Sequence, residues 1–71
     1  MYNPSILSTL GARIRELRRK KGMTQNKLAI LCELEEANIS RIESGKTNMT
    51  VLTLYKISTA LEIKMTELFK V

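Results

Sequence analysis

The residues from Ala37 to Ser44 present two chemically different faces if they form a helix. At about 100° per residue, Ile39 and Ile42 fall on one side, and the carboxylate of Glu43 lies at the margin of that apolar side. The opposite side carries small or hydroxyl side chains and one long hydrogen-bond donor, namely Ala37, Ser40, Arg41 and Ser44. Such a face is suited to binding through hydrogen bonds. The carboxylate needs a partner, because an unpaired buried carboxylate costs several kcal/mol or loses its charge.

Catalytic and metal-binding chemistry is not expected from this composition. The 71 residues include one cysteine and no histidine, which excludes an intrachain disulfide framework and a Cys/His zinc site. The chain has neither a phosphate-cradling glycine loop nor a plausible nucleophile beside a base. We therefore expect no enzyme activity, no metal, no cofactor and no small-molecule ligand. Cys32 lies in an apolar helical run, where a buried, inert thiol is expected.

The sequence also carries no membrane or export signal that we recognise. No stretch approaches the length of a membrane span, and the first residues, MYNPSIL, lack the charged start and apolar block of a signal peptide. We expect a cytoplasmic protein.

The distribution of charge is more informative than its total. The net charge of +5 favours a polyanionic partner. Basic residues crowd into the first third of the chain, as Arg13, Arg15, Arg18, Arg19, Lys20 and Lys21, and an acidic cluster follows, as Glu33, Glu35 and Glu36. A uniformly basic tail would not show this separation of basic and acidic residues. The distribution therefore indicates a folded domain that carries its charges at particular positions.

Helical signals account for the whole chain. Leu10, Ile14 and Leu17 recur at helical spacing after a start at Asn3-Pro4 or at Ser8, and Gly22 ends this first helix. Four more helices are predicted: one capped by Thr24, one over roughly residues 36–44, one capped by Thr50, and a short one from about Met65 to Phe69. Apolar residues assigned to the second and fourth helices include Leu31, Val51 and Leu52. We expect an all-α fold of five helices around one core, with residues 1–71 as a single domain.

The spacing of small and apolar residues predicts a helix-turn-helix over about residues 24–45. Ala29 is small where two helices that cross steeply need close approach, and apolar residues follow at Leu28, Leu34, Ile39 and Ile42. In a helix-turn-helix the second helix of the pair enters the major groove of DNA. A helical hairpin with no ligand fits the same spacing.

Three segments of the sequence resemble the phage-repressor (Cro-type) helix-turn-helix family: IRELRRKKGMTQNKLA, ISRIESGKTN and LYKISTALEIKMTELF. The resemblance covers nearly everything from Gly11 to Phe69. It implies sequence-specific binding of double-stranded DNA by a small repressor, activator or restriction-modification controller. The alternative is an antitoxin-type or scaffold module that uses the same fold to bind a protein partner such as a toxin, and the acidic cluster favours that alternative.

Three positions depart from the pattern of the family. Glutamate occupies position 33, where the turn commonly has glycine, and position 35, where a small hydroxyl residue is the usual cap. Met49 stands where proline is frequent. Glutamate at position 33 can be accommodated if the backbone there stays right-handed, and we expect Glu35 to be a poor N-cap.

The resemblance also implies roles for individual residues. Arg18 is expected to pair with Glu43 within the fold. We expect the exposed side and leading end of the third helix to meet base edges in a groove about 12 Å wide, through Glu36, Ala37, Asn38, Ser40 and Arg41. Contacts to phosphates are expected from Gln25, Ser44, Lys46, Thr47 and Asn48.

A two-fold homodimer is expected, because one recognition helix reads only a few base pairs. The C-terminal residues are more apolar than a short terminal helix can easily bury. We expect Leu68 to complete the core of its own chain. Ile63, Met65, Phe69 and Val71 are predicted to face the partner chain on a near-palindromic operator.

Overall fold

A computed structural model of the protein describes residues 5–71, and over that range it confirms the predicted all-α architecture. The described chain forms α1 (Ser5–Lys20), α2 (Gln25–Cys32), α3 (Glu36–Glu43), α4 (Val51–Ala60) and α5 (Met65–Leu68), with no strand. α1 packs against α3 and α5, α2 packs against α3 and α4, and α4 packs against α5. Within the described range no helix is long and apolar enough to cross a bilayer.

Each of the five described helices contributes at least one buried apolar side chain to the core. Side chains that are fully or almost fully buried include Ile14, Leu28, Ile39, Ile57, Leu61 and Leu68. Cys32 is buried as expected, and its burial raises the pKa of the thiol although Lys56 nearby acts in the opposite direction. Leu31, Val51 and Leu52 are instead exposed, because α2 and α4 pack through other faces.

The helix starts match the predicted caps at two places. The hydroxyl oxygen of Thr24 accepts a hydrogen bond from the backbone N–H of Lys27, and that of Thr50 accepts one from Thr53, each at 3.0 Å. Glu35 makes no side-chain capping bond, in line with its poor capping chemistry. The alternative helix start at Ser8 is wrong, since the chain is already helical from Ser5. Asn3 and Pro4 lie outside the described residues.

Shortly after the last residue of each of helices α1 to α4, one residue lies in the left-handed region: Gly22, Glu33, Gly45 and Glu62. In α2 the N–H of Glu33 donates to the carbonyl of Ile30, and the N–H of Leu34 donates to the carbonyl of Ala29. This double closure is the Schellman motif, which needs the left-handed residue. The condition of a right-handed backbone at Glu33 is therefore not met: its φ is 57°. The motif turns Leu34 back toward the core.

Replacing Glu33 by glycine should stabilise the protein by about 1 kcal/mol, because a side chain in the left-handed region costs about 1–2 kcal/mol and glycine returns part of that as backbone entropy. Thermal unfolding should shift upward by roughly 4–8 °C for a domain of this size. Glu33→Gln is the matched control, since it removes the charge and keeps Cβ. Equal stabilisation by Gln and Gly would show that charge, not backbone strain, matters at this position.

Candidate nucleic-acid interface

The C-terminal end of α3 is anchored by an ion pair inside the protein. Nε of Arg18 lies 2.6 Å from Oε2 of Glu43, and Nη2 lies 3.1 Å from Oε1, so the guanidinium holds the carboxylate through two hydrogen bonds. Nη1 of Arg18 donates to the carbonyl of Met23 at 2.7 Å. Glu43 is 2% exposed and Arg18 is 7% exposed. Arg18 thus belongs to the interior of the fold, although it lies within the basic run of α1.

Two further donors reach the same carboxylate, and sequence reasoning did not anticipate them. Nε2 of Gln25 lies 3.0 Å from Oε1 of Glu43, and Nε of Arg15 lies 3.5 Å from it. Burial alone would raise the pKa of Glu43, but the hydrogen bonds from Arg18 and Gln25 and the charge of Arg18 outweigh it and hold that pKa below its ordinary value. Glu43 is therefore ionised at neutral pH and joins α1, α2 and α3 at one point.

Two glycines let α1 approach the end of α3 closely. A Cβ on Gly11 would lie 2.3 Å from the carbonyl oxygen of Ile42, which leaves no room for any side chain. At Gly45, where φ is +74°, a Cβ would lie 2.5 Å from Oγ of Ser8. Our sequence reasoning missed the role of Gly11. The available signal was a glycine inside a helix, where it is unfavourable unless close packing requires it.

The outward side of α3 carries the residues predicted to read bases. Glu36, Ala37, Ser40 and Arg41 are exposed, and Asn38 is half-buried. Both charged side chains of this face already have polar partners. Nδ2 of Asn26 on α2 lies 3.2 Å from Oε1 of Glu36, and the guanidinium of Arg41 donates to the side-chain oxygen of Asn38. These contacts hold a carboxylate and a guanidinium on one exposed helix face.

The residues predicted to contact phosphate lie at the start of α2 and in the segment that follows α3. Gln25 begins α2, where first-turn N–H groups lack intrahelical acceptors, although its side chain turns inward to Glu43. Lys46 and Asn48 are exposed and Thr47 is half-buried in the loop after α3. The hydroxyl of Ser44 lies within bonding distance of the carbonyls of Ser40 and Arg41. A bond from Ser44 to a phosphate would therefore require its hydroxyl to turn away from these carbonyls.

The C-terminal residues divide between the core and the surface. Leu68 is fully buried, and Ile63 and Met65 pack partly against the core. Phe69 is 53% exposed and Val71 is 64% exposed. Nε of Arg13 donates to the carbonyl of Glu67 at 3.0 Å, which ties the end of α5 to α1. Further exposed apolar side chains, not foreseen as a surface, lie on α2 and α4: Ile30, Leu31, Val51, Leu52 and Tyr55.

Comparison with known proteins identifies the family. A family model described as helix-turn-helix matches residues 14–68, so the chain belongs to the helix-turn-helix family. Among solved structures, the restriction-modification controller protein C.AhdI from Aeromonas hydrophila superimposes with a TM-score of 0.90 and 38% sequence identity, over 92% of this chain and 98% of that chain.

Curated relatives of this chain include a transcriptional regulator and an antitoxin. An uncharacterised HTH-type transcriptional regulator, y4dJ of Sinorhizobium fredii, is 36% identical over 59 residues, which cover 83% of this chain and 77% of the relative. The antitoxin HipB of Escherichia coli K12 is 33% identical over 66 residues, which cover 93% of this chain and 72% of the relative.

Removing one partner of the buried pair should cost much more than removing an exposed arginine. We expect Arg18→Met to lower the free energy of unfolding by about 3–5 kcal/mol, because it leaves Glu43 buried without its main counter-charge. Glu43→Leu in the Arg18→Met background should restore part of that loss. Denaturant unfolding of both single variants and the double variant measures the coupling. Arg19→Met, one residue away and exposed, is the control and should change stability little. Zero coupling between positions 18 and 43 would contradict the structural role of the pair.

Proposed function

We propose that the protein is a transcriptional regulator that binds a near-palindromic operator in double-stranded DNA as a homodimer. The observation that carries this proposal is the exposed polar face of α3, held outward by the buried Arg18–Glu43 pair at its other side. Similarity to a transcriptional regulator and to a restriction-modification controller supports it. The protein acts in the cytoplasm, by binding rather than by catalysis.

Sequence is read by the leading end and exposed side of α3 in the major groove. Arg41 donates to O6 and N7 of a guanine, Glu36 accepts from the amino group of a cytosine, and Ala37 contacts a thymine methyl group. Asn38 and Ser40 lie beside them, and Asn38 accepts a hydrogen bond from the guanidinium of Arg41.

Phosphate contacts hold α3 in register without reading sequence. The first-turn N–H groups of α2, the backbone N–H of Gln25 among them, bind a phosphate on one side of the groove, because the side chain of Gln25 already donates to Glu43. Ser44, Lys46, Thr47 and Asn48 bind the DNA backbone beyond the C-terminal end of α3. The net charge of +5 adds long-range attraction to the DNA.

The homodimer forms through the C-terminal segment, because the exposed Phe69 and Val71 are apolar and follow a helix end that Arg13 anchors. Ile63 and Met65 contribute only the parts of their side chains that the core leaves exposed. Two copies related by a two-fold axis present their α3 helices to half-sites about 34 Å apart, which makes the operator nearly palindromic.

Two variants should distinguish base reading from phosphate binding. Their binding is measured on an operator selected from random DNA. Arg41→Ala should weaken operator binding by about 1–3 kcal/mol and relax the preference at one position of each half-site. Lys46→Ala should preserve the preference and lower the slope of log K against log salt by about one. If Arg41→Ala weakened operator and scrambled DNA equally, base reading by Arg41 would be wrong. An unchanged salt slope would show that Lys46 is only a solvated lysine.

A charge at the predicted dimer surface should separate the subunits. Phe69→Glu should leave a folded monomer with weak operator binding, because a carboxylate in an apolar seam loses its hydration. Light scattering and thermal unfolding measure these two properties. Ile30→Glu, at another exposed apolar residue, is the control and should remain dimeric. If Ile30→Glu separates the subunits and Phe69→Glu does not, the interface lies on the face of α2 and not at the C terminus.

A second candidate function is protein binding in the manner of an antitoxin, favoured by the similarity to HipB and by the acidic residues Glu33, Glu35 and Glu36, which are exposed around the turn between α2 and α3. A gel shift with bulk DNA over a range of salt concentrations separates it from the first. Retention at low salt that fades as salt rises supports DNA binding. No retention even at low salt would favour a module that binds only protein.

A further inference from the structure

Asn26 is the second residue of α2 and lies opposite the first residue of α3. Its Nδ2 lies 3.2 Å from Oε1 of Glu36, and both side chains are exposed. A carboxylate can only accept hydrogen bonds, so the amide nitrogen, and not the amide oxygen, must face it. The contact therefore joins the two helices of the helix-turn-helix on the side that faces away from the core.

The hydrogen bond from Asn26 restricts the orientation of the Glu36 side chain. A free glutamate side chain at a helix end samples several rotamers, and it is repelled by nearby phosphates. With Oε1 held by Asn26, the carboxylate has one preferred direction and Oε2 stays available for a donor such as the amino group of cytosine. A preorganised acceptor of this kind loses less conformational entropy on binding.

Asn26 has no comparable task in the fold. The start of α2 is capped by Thr24, and the helix is buried through Leu28, Ala29 and Cys32. The preceding residue, Gln25, turns the other way and donates to Glu43. Hydrogen bonds between exposed side chains add little to stability, because water competes for both groups.

We propose that Asn26 is a positioning residue that sets the base preference of Glu36 without touching a base itself. This inference rests on the proposed function, because it requires α3 to read DNA.

Selection of bound sites from random DNA tests the role of Asn26. The proteins compared are the wild type, Glu36→Ala, Asn26→Ala, the double variant and Asn26→Gln, which keeps an amide donor. Lys27→Ala is the control for an exposed polar residue of α2. Thermal unfolding checks each fold, and alanine at position 26 should not reduce stability because it favours helix.

Glu36→Ala should relax the preference at one position of each half-site, and Asn26→Ala should relax the same position. Affinity for the selected operator should fall about three- to tenfold for Asn26→Ala, as for loss of one hydrogen bond. The double variant should show no further loss beyond Glu36→Ala, and Asn26→Gln should recover part of the preference. Lys27→Ala should weaken binding to all sequences alike.

The possible outcomes distinguish failure of the proposed function from failure of the role of Asn26. If the wild type enriches no sequence, the proposed function fails and the role of Asn26 fails with it. If Glu36→Ala relaxes a position that Asn26→Ala leaves unchanged, the protein still reads DNA and only the role of Asn26 is overturned. Losses that add independently in the double variant would also overturn it.

Discussion

The fold depends on one buried charged group, the carboxylate of Glu43. Glu43 is the last residue of α3, and its carboxylate accepts hydrogen bonds from Arg18 on α1 and from Gln25 at the start of α2. A buried charge is tolerated only where donors satisfy it in good geometry, so its position is set more narrowly than apolar packing alone would set it. An isolated helix of eight residues is not stable in water, and α3 has that length. Its order comes from Ile39 and Ile42 against the core and from this carboxylate.

In the proposed function, attraction to DNA and reading of its sequence belong to different parts of the surface. The proposed reading face has one guanidinium, on Arg41, and one carboxylate, on Glu36, so its own charges balance. The excess positive charge lies elsewhere, on the exposed end of α1 and in the loop after α3, as Arg19, Lys20, Lys21 and Lys46. Under the proposed function, long-range attraction brings the protein to any DNA, and the nearly neutral face of α3 then responds to the bases.

Residue types and periodicity predicted the helices well, because caps and apolar repeats act within a few residues. Thr24 and Thr50 cap as expected, and the position of Glu43 beside Ile39 and Ile42 was enough to demand a partner. The features that residue types and periodicity did not predict depend on how the helices pack against one another. The left-handed backbone at Glu33 follows from how α2 must end before α3, and a local preference of glutamate would predict otherwise. The inward turn of Gln25 and the bond from Asn26 to Glu36 depend on distances between helices that periodicity does not contain. For the same reason the sequence did not show that Val51 and Leu52 lie outside the core.

The two left-handed glutamates have an evolutionary consequence. Glu33 and Glu62 have φ values of 57° and 58°. These values lie in the left-handed region, where residues other than glycine are strained by about 1–2 kcal/mol. A codon for glutamate becomes a codon for glycine by one nucleotide change. Small domains lie close to the limit of stability, so changes in an exposed helix face are often restricted by the folding free energy they remove. The chain therefore holds two single-step mutations that would offset such losses. A lineage of this protein has room to alter the face of α3 while staying folded, and under the proposed function that change would alter the DNA sequence it reads.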